Sequence, residues 1–462
     1  MIRLFKVFIP VGALTLLVSE VLLVTSAFIF ATYVALDVAP TVFLFYDGGL
    51  SRISLVVLSI LIGLHLHDLY SQIYVKSRIV LLQQLCMVMG AAFLAQALIA
   101  YVHADLRVPV FIMLLGSAIA VVAIFSWRLL FSAFAFQVVG RDRLLLVGGG
   151  PLLEDIGQYI VDHPETGLEI AGYVDYRHEP RAALPGGKLL GTMESLRDIV
   201  RTTQPHRIVV GMFERRNRMP VGELLELRFA GNVIEEAANT YERVCGRVRL
   251  KEIRPSQLIF SGELGPHPHN LVYQRISNMA VAIVGIIVSS PIMLLTALAV
   301  RLSSPGAVLY RQTRVGLDGA LFTVYKFRSM YEGSDKKQLK PAEHEDARIT
   351  VVGKWLRRTR IDELPQLFNI VKGDMAFVGP RPFVPEQEEE CVQKIPFYKE
   401  RWLAKPGATG WAQINRGYNA NLEDNREKLA YDLFYIKNVS FGLDLYIMFA
   451  TVKILLLGRG GR

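Results

Sequence analysis

Four apolar windows fill most of the first 127 residues: Val11 to Leu36, Ile53 to Leu69, Ile79 to Val102 and Val108 to Trp127. Each is near the ~20 residues that a bilayer core requires, and in hydrocarbon a lone segment satisfies its backbone groups only as a helix. The stretch is therefore restricted to membrane helices, and Glu20 is the only charge in the first of them. That first window is longer than the apolar part of a secretory signal and further windows follow it. It reads as an uncleaved helix.

Basic residues set the expected orientation. Arg3 and Lys6 precede the first span, Lys76 and Arg78 lie between the second and third, and Arg128, Arg141 and Arg143 follow the fourth. The alternate loops hold Asp37, Asp47 and Arg52, then His103, Asp105 and Arg107, so the positive-inside bias puts both termini in the cytoplasm. Cys86, Cys245 and Cys391 form no metal or redox pattern and suit a reducing compartment. The net charge of +9 has no aromatic-basic reading motif beside it, so it points to an anionic lipid surface and not to nucleic acid.

After this four-span domain (residues 1–136), residues 140–250 alternate short apolar runs with helical periods, which implies a parallel sheet covered by helices, a Rossmann-like α/β module. Gly148-Gly149-Gly150 follows the first run and Asp175 ends the second, as in a dinucleotide site, but Leu153 stands where G-x-G-x-x-G needs its third glycine. A nucleotide site and a degenerate module used for assembly or regulation both remain open. Residues 251–275, with Pro255, Pro266, His267, Pro268 and His269, read as a linker without metal ligands.

Residues 276–301 are almost uncharged and long enough to span, yet Ser289-Ser290-Pro291 falls in the middle. Proline there removes a backbone donor and clashes with the preceding turn. A kink at Ser290 and Pro291 would make a re-entrant hairpin, which keeps residues 302–462 in the cytoplasm, whereas a fifth span would export them. In that last part, residues 305–316 and then 322–330 alternate apolar with basic or polar residues and read as a β-hairpin with cationic ends. Asp362 and Glu363 then lie among Arg357, Arg358, Arg360 and Arg381. Asp362 is expected to open a helix over Leu364 to Val371 with Pro365 in its first turn, where exposed amides would hold a carboxylate ionised and welcome phosphate. The apolar tail, Phe441 to Leu457, contains Asp444 and Lys453 and is short for a span. An interfacial helix fits it better, with Arg459 and Arg462 suiting anionic lipid.

Several words in this region occur together and in order: Tyr-Arg-Gln-x-Arg-Val-Gly at 310–316, Lys-Phe-Arg-Ser-Met at 326–330, Asp-Glu-Leu-Pro-Gln-Leu at 362–367 and Gly-Asp-Met at 373–375. Val-Gly-Pro-Arg-Pro at 378–382, Lys-Pro-Gly-Ala-Thr-Gly-Trp-Ala-Gln at 405–413 and Asp432-x-x-Tyr435 follow. With these words the chain resembles the bacterial polyprenyl-phosphate sugar phosphotransferases, the large monotopic phosphoglycosyl transferases that initiate exopolysaccharide or O-antigen repeat units. It departs at Gln274-Arg275-Ile276-Ser277-Asn278, where relatives often read Lys-Arg-x-x-Asp, which leaves the anchoring geometry there in question.

The resemblance implies that Asp362 attacks the β-phosphate of a UDP-sugar, expels UMP, and passes the phosphosugar to undecaprenyl phosphate in the inner membrane from its cytoplasmic face. It also implies that Glu363 helps to hold Mg²⁺. Attack on phosphorus amid negative charge needs cations, and Arg314, Lys326, Arg328, Arg357, Arg358, Arg360 and Arg381 are the candidates. The accessory module hints at a homodimer. Two other readings compete. A membrane-anchored nucleotide-sugar dehydratase needs Tyr-x-x-x-Lys, which occurs nowhere here, and an inactive scaffold would have lost Asp362, Glu363 and Arg381.

Overall fold

A computed structural model describes residues 2–4, 7–9, 11–36, 39–67, 69–70, 78–138, 142–176, 184–211, 219–252, 268–333, 346, 348–416 and 421–456. It divides into two compact units, Phe8–Ala237 with Met1–Arg3, and Ala238–Arg462 with Leu4–Val7.

In the first unit, helices α1 (Val11–Ala35), α2 (Gly49–Leu66), α3 (Arg78–Val102) and α4 (Val110–Val138) occupy the four windows. Each is long and apolar enough to cross a membrane, as is one helix of the second unit, Gln274–Ser303. Phe28, Ile60, Leu85 and Ile112, one from each of α1 to α4, share a core. Arg128 is not a flanking charge as the sequence suggested. It lies inside α4 and is buried, its Nε 2.7 Å from Glu20 Oε1 on α1 and its Nη1 donating to the Leu69 carbonyl at 2.7 Å. An unpaired buried charge is expensive, and inside α4, which runs on past Trp127, Arg128 and Glu20 satisfy one another.

The same unit holds a five-stranded parallel sheet of β1 (Asp142–Val147), β2 (Leu168–Asp175), β3 (Leu189–Thr192), β4 (Arg207–Val210) and β5 (Val233–Glu236) in the order β3-β2-β1-β4-β5. Leu144 to Val147 are fully buried, which a strand covered on both faces requires. The order reverses beside β1, at the Gly148–Gly150 turn. A Cβ on Gly149 would sit 3.1 Å from Asp175 Oδ2, so the two features noted in sequence are neighbours.

The second unit takes in all but the first residue of a helix over Ala237–Cys245 and contains its own core of Val248, Val378, Tyr398, Leu433 and Tyr435. Residues 253–267, most of the expected linker, lie outside the described residues. Helix α5 (Pro268–Ser303) starts eight residues before Ile276, with proline at the helix start, where its missing N–H costs nothing. It is unbroken through Pro291, so the two half-length helices expected there are one element of 36 residues. Ser290 explains the continuity. Its Oγ donates to the Ile287 carbonyl at 2.8 Å, the acceptor that Pro291 cannot serve. One stripe of α5, Asn278, Ala282, Gly285, Ser289, Met293, Thr296 and Val300, is covered or half-covered, while the outer face, including Ile283, Ile287, Val288, Leu294 and Leu295, is exposed and apolar.

Strands β6 (Leu309–Val315) and β7 (Leu321–Phe327) form the expected antiparallel hairpin, with Leu309 opposite Phe327 and Val315 opposite Leu321. Helix α6 (Val351–Thr359) is capped by Thr350, whose Oγ1 accepts the Gly353 N–H at 2.9 Å. Helix α7 (Gln366–Lys372) is joined to β7 by Asn369, which donates to Thr323 O at 2.7 Å and accepts from Tyr325 N at 3.1 Å. Strands β8 (Ala376–Val378) and β9 (Gly407–Thr409) pair in parallel, and helices α8 (Leu422–Asn438) and α9 (Phe441–Leu456) close the unit.

Candidate active site

A cavity of about 740 Å³ opens beside the β6–β7 hairpin, and its lining includes Tyr310, Arg314, Lys326, Arg328, Tyr331, Arg357 and Asp362. Asp362 is 8% exposed, and its Oδ1 has no hydrogen-bond partner. It sits in a 3₁₀ turn, Ile361–Glu363, preceded by Arg360 at φ +60°. A bulky residue held in the left-handed region stores strain of the kind found at functional sites.

The turn corrects one expectation. The α-helix begins at Gln366, four residues after Asp362, so helix amides do not hold this carboxylate ionised. Burial, and then the neighbouring Glu363 charge, push Asp362 up to about 6, although Lys326, Arg360 and Arg357 pull the other way. Glu363 responds oppositely. Burial works against its charge, but Lys326, Arg381 and Arg360 hold it down at about 2. Its Oε1 lies 2.7 Å from Lys326 Nζ and 3.8 Å from both Arg360 Nη1 and Arg381 Nη2. Two adjacent carboxylates thus carry different loads: one gathers cations, and the other is left with an open oxygen facing a cavity.

The remaining expected cations fall into two groups. Arg314 and Lys326 project from the paired strands, Arg357 comes from α6, and Arg328 is buried with Nη2 on Ser304 O at 2.7 Å and Nε and Nη1 unpartnered. Burial and the nearby Arg381 charge lower Arg314 to about 10, a sign that positive charge is crowded here. Arg358 is exposed and outside the cavity lining, because consecutive helical side chains point about 100° apart.

Sequence reasoning missed the frame behind Arg381. Arg401 is 4% exposed, donates to Glu388 Oε1 at 2.9 Å and Asp432 Oδ2 at 3.0 Å, and reaches the Arg381 carbonyl at 3.0 Å. Arg314 meanwhile donates to the Pro382 carbonyl at 3.2 Å. The loop is therefore fixed from both sides as well as by its own prolines. Asp432 belongs to a noted motif but had no role until the fold brought it to Arg401. The departure at Gln274 and Asn278 is also accounted for. Gln274 donates to Asp444 Oδ2 at 2.8 Å and to Tyr435 Oη at 3.2 Å, and Asn278 accepts the Phe377 N–H at 3.3 Å, so neutral amides make the anchoring contacts.

The profile of the bacterial sugar transferase family matches residues 269–458, the part that carries this cavity. The UDP-glucose:undecaprenyl-phosphate glucose-1-phosphate transferase of Escherichia coli strain K12 is 32% identical over 322 residues, 68% of each chain. The chain belongs to the bacterial sugar transferase family. A transferase of the same printed name from Xanthomonas campestris is 31% identical over 340 residues, 69% of this chain and 68% of its own. The UDP-N-acetylgalactosamine-undecaprenyl-phosphate N-acetylgalactosaminephosphotransferase of Aeromonas hydrophila is 42% identical over 221 residues. The chain spans about half the length of that relative, 52%.

Proposed function

We propose that this protein transfers a sugar 1-phosphate from a UDP-sugar to undecaprenyl phosphate through a covalent aspartyl-phosphosugar intermediate, as the first step of an exopolysaccharide or O-antigen repeat unit. The observation that carries the reading is the open Oδ1 of buried Asp362 at the wall of a cavity lined with cations. In the first half reaction that oxygen bonds to the β-phosphorus. The bond from phosphorus to the bridging oxygen breaks, and UMP leaves with the electron pair. In the second, a phosphate oxygen of undecaprenyl phosphate attacks the same phosphorus, and the aspartyl bond breaks to restore the carboxylate. Arg314, Lys326, Arg328, Arg357 and Arg381 neutralise the phosphates.

Among the described residues no group of three or more His, Cys, Asp or Glu stands where it could hold a metal ion. Mg²⁺ commonly takes only one or two carboxylates together with substrate phosphates, and Glu363, beside the attacking Asp362, would be the carboxylate that holds it. Bound there, the ion would supply charge neutralisation on the diphosphate.

The reading places four spans and a Rossmann-like module ahead of a single helix that enters the bilayer without crossing it, with the catalytic unit on the cytoplasmic face. Support comes from α5, which packs on its own unit at both ends: Ala282 against Ile370 and Met375, and Val300 against Phe327 and Leu356. Those points are about 27 Å apart along a straight helix, close to the ~30 Å of a bilayer core. A helix that crossed would carry one end away from the unit. The decisive experiment gives membranes containing the protein UDP-sugars, Mg²⁺ and undecaprenyl phosphate. UMP release, labelled lipid and a phosphosugar on Asp362 by mass spectrometry are expected in wild type and absent in Asp362→Asn. Turnover that survives the substitution removes the nucleophile, and periplasmic labelling of residues 302–456 removes the orientation.

A further inference from the structure

Lys405, in the Lys-Pro-Gly word, is not part of the Asp362 cavity lining, and it is held where a cation is costly to keep. The Ala376 N–H donates to the Pro406 carbonyl at 2.8 Å and Ala376 pairs with Gly407, so Lys405 is fixed at the entrance to the β8–β9 pair. A Cβ on Gly373 would lie 3.7 Å from its Nζ, which puts the ammonium against the turn that ends α7. Lys405 is half-buried, and among the described residues it makes no hydrogen bond or ion pair. The carboxylate in that turn, Asp374, lies 3.0 Å from Lys372 instead.

Arg275 adds a second positive charge. Its neighbour Gln274 is tied to Tyr435 and Asp444, and Asn278, one turn on, is tied to Phe377 of β8, so Arg275 is held beside the strand that Lys405 enters. Burial, and then the Arg275 charge, lower the Lys405 ammonium from its ordinary value. Asp374 is thus engaged by Lys372, and half-buried Lys405 is left with exposed Arg275 as a neighbouring cation. Two basic side chains so placed, one of them partly desolvated, suit an anion that both can reach.

The sequence position of Arg275 identifies which anion. It is the last charge before the uncharged run Ile276–Val300, whose outer face is apolar and exposed. With α5 in the bilayer, as read above, Arg275 stands at the depth of the headgroups. Helix α9 offers more exposed apolar surface nearby at Tyr446, Phe449 and Val452, and its Thr451 hydroxyl bonds that of Thr409 on β9 at 2.6 Å.

We propose that Arg275 and Lys405 form a binding site for the phosphate of a lipid headgroup, separate from the Asp362 cavity. Helix α7 separates the two places, with the Asp362 turn before its first residue and Lys405 at its last. Its seven residues span about 10 Å. A phosphate held by Lys405 is therefore a bound anionic lipid and not the acceptor under attack.

The inference rests on the placement of α5 in the bilayer, and its test reads the two apart. Full-length protein in phosphatidylcholine nanodiscs containing phosphatidylglycerol is examined by native mass spectrometry, with a bimane on Val288→Cys to report the surroundings of α5. Wild type is expected to retain phosphatidylglycerol. Lys405→Gln and Arg275→Gln each weaken retention about fivefold, following the contribution of one basic residue at an anionic surface, while Lys405→Arg retains it. Equal retention by wild type and the Gln variants, with the bimane in lipid, overturns the lipid site alone. A bimane in water overturns the placement of α5 first. If inorganic phosphate alone raises the Tm of wild type, and not of Lys405→Gln, as much as phosphatidylglycerol does, the ligand is a soluble anion and the lipid assignment fails.

Discussion

Asp362 and Glu363 are neighbours with opposite electrostatic fates, and their titrations make distinct predictions. Asp362 rises in the folded protein from the ordinary 3.8 to about 6, so the fold favours its proton, and this group takes stability away as pH rises from about 4 through 6. Glu363, held at about 2, adds stability that is complete above its ordinary 4.5 and is lost as pH falls towards 2. Two outcomes follow for Asp362. On the proposed mechanism, UMP release in single-turnover assays should fall about tenfold per pH unit below 6, because the attacking oxygen must be ionised. Asp362→Asn should stabilise the protein at pH 7.5 by on the order of 3 kcal/mol, read as a raised Tm, and a lowered Tm would mean that the carboxylate is structural. For Arg401, replacement by Ala leaves Glu388 and Asp432 buried without their cation and should cost about 3–5 kcal/mol, measured by thermal unfolding.

At the level of elements, α5 shows how a helix tolerates an internal proline. If the Ser290 hydroxyl replaces the missing donor, Ser290→Ala should destabilise by about 1 kcal/mol, and Pro291→Ala in the same chain should recover it by restoring an N–H to the Ile287 carbonyl. Equal losses in the single and double variants would discard this account. Helix α6 depends on a close approach. A Cβ on Gly353 would fall 1.9 Å from the Ser329 carbonyl oxygen, and Thr350 N–H donates to that same oxygen at 3.0 Å. Gly353→Ala should therefore push α6 from the hairpin and withdraw Arg357 from the cavity, raising KM for the UDP-sugar more than it lowers kcat.

On the scale of the whole molecule, the compact unit Ala238–Arg462 contains every residue of the proposed site together with its own core. A fragment of those residues in lipid should keep phosphosugar transfer. An inactive fragment with native near-UV circular dichroism would assign the first unit a part in catalysis. In that first unit, Arg128→Met leaves Glu20 buried without its cation and should destabilise the helices by about 3–5 kcal/mol, whereas replacing both residues by apolar ones should restore most of it.

The sequence by itself determined what local pattern dictates. Apolar length marked the helices long and apolar enough to cross a membrane, period-two alternation marked the β6–β7 hairpin, alternating strands and helices pointed to the parallel sheet, and the Asp-Glu pair among arginines marked the candidate site. These signals lie within a few residues of one another, so one stretch of chain contains them. What only the tertiary structure decided depends on partners far apart in sequence. Arg128 was taken for a flanking charge because its partner Glu20 lies 108 positions away. The proline in α5 was taken for a break because the short bond from Ser290 to Ile287 is a matter of side-chain rotamer, which pattern does not record. The division of labour between Asp362 and Glu363 was invisible for the same reason. Burial and the placement of Lys326, Arg360 and Arg381 set each carboxylate's proton affinity, and those follow from packing.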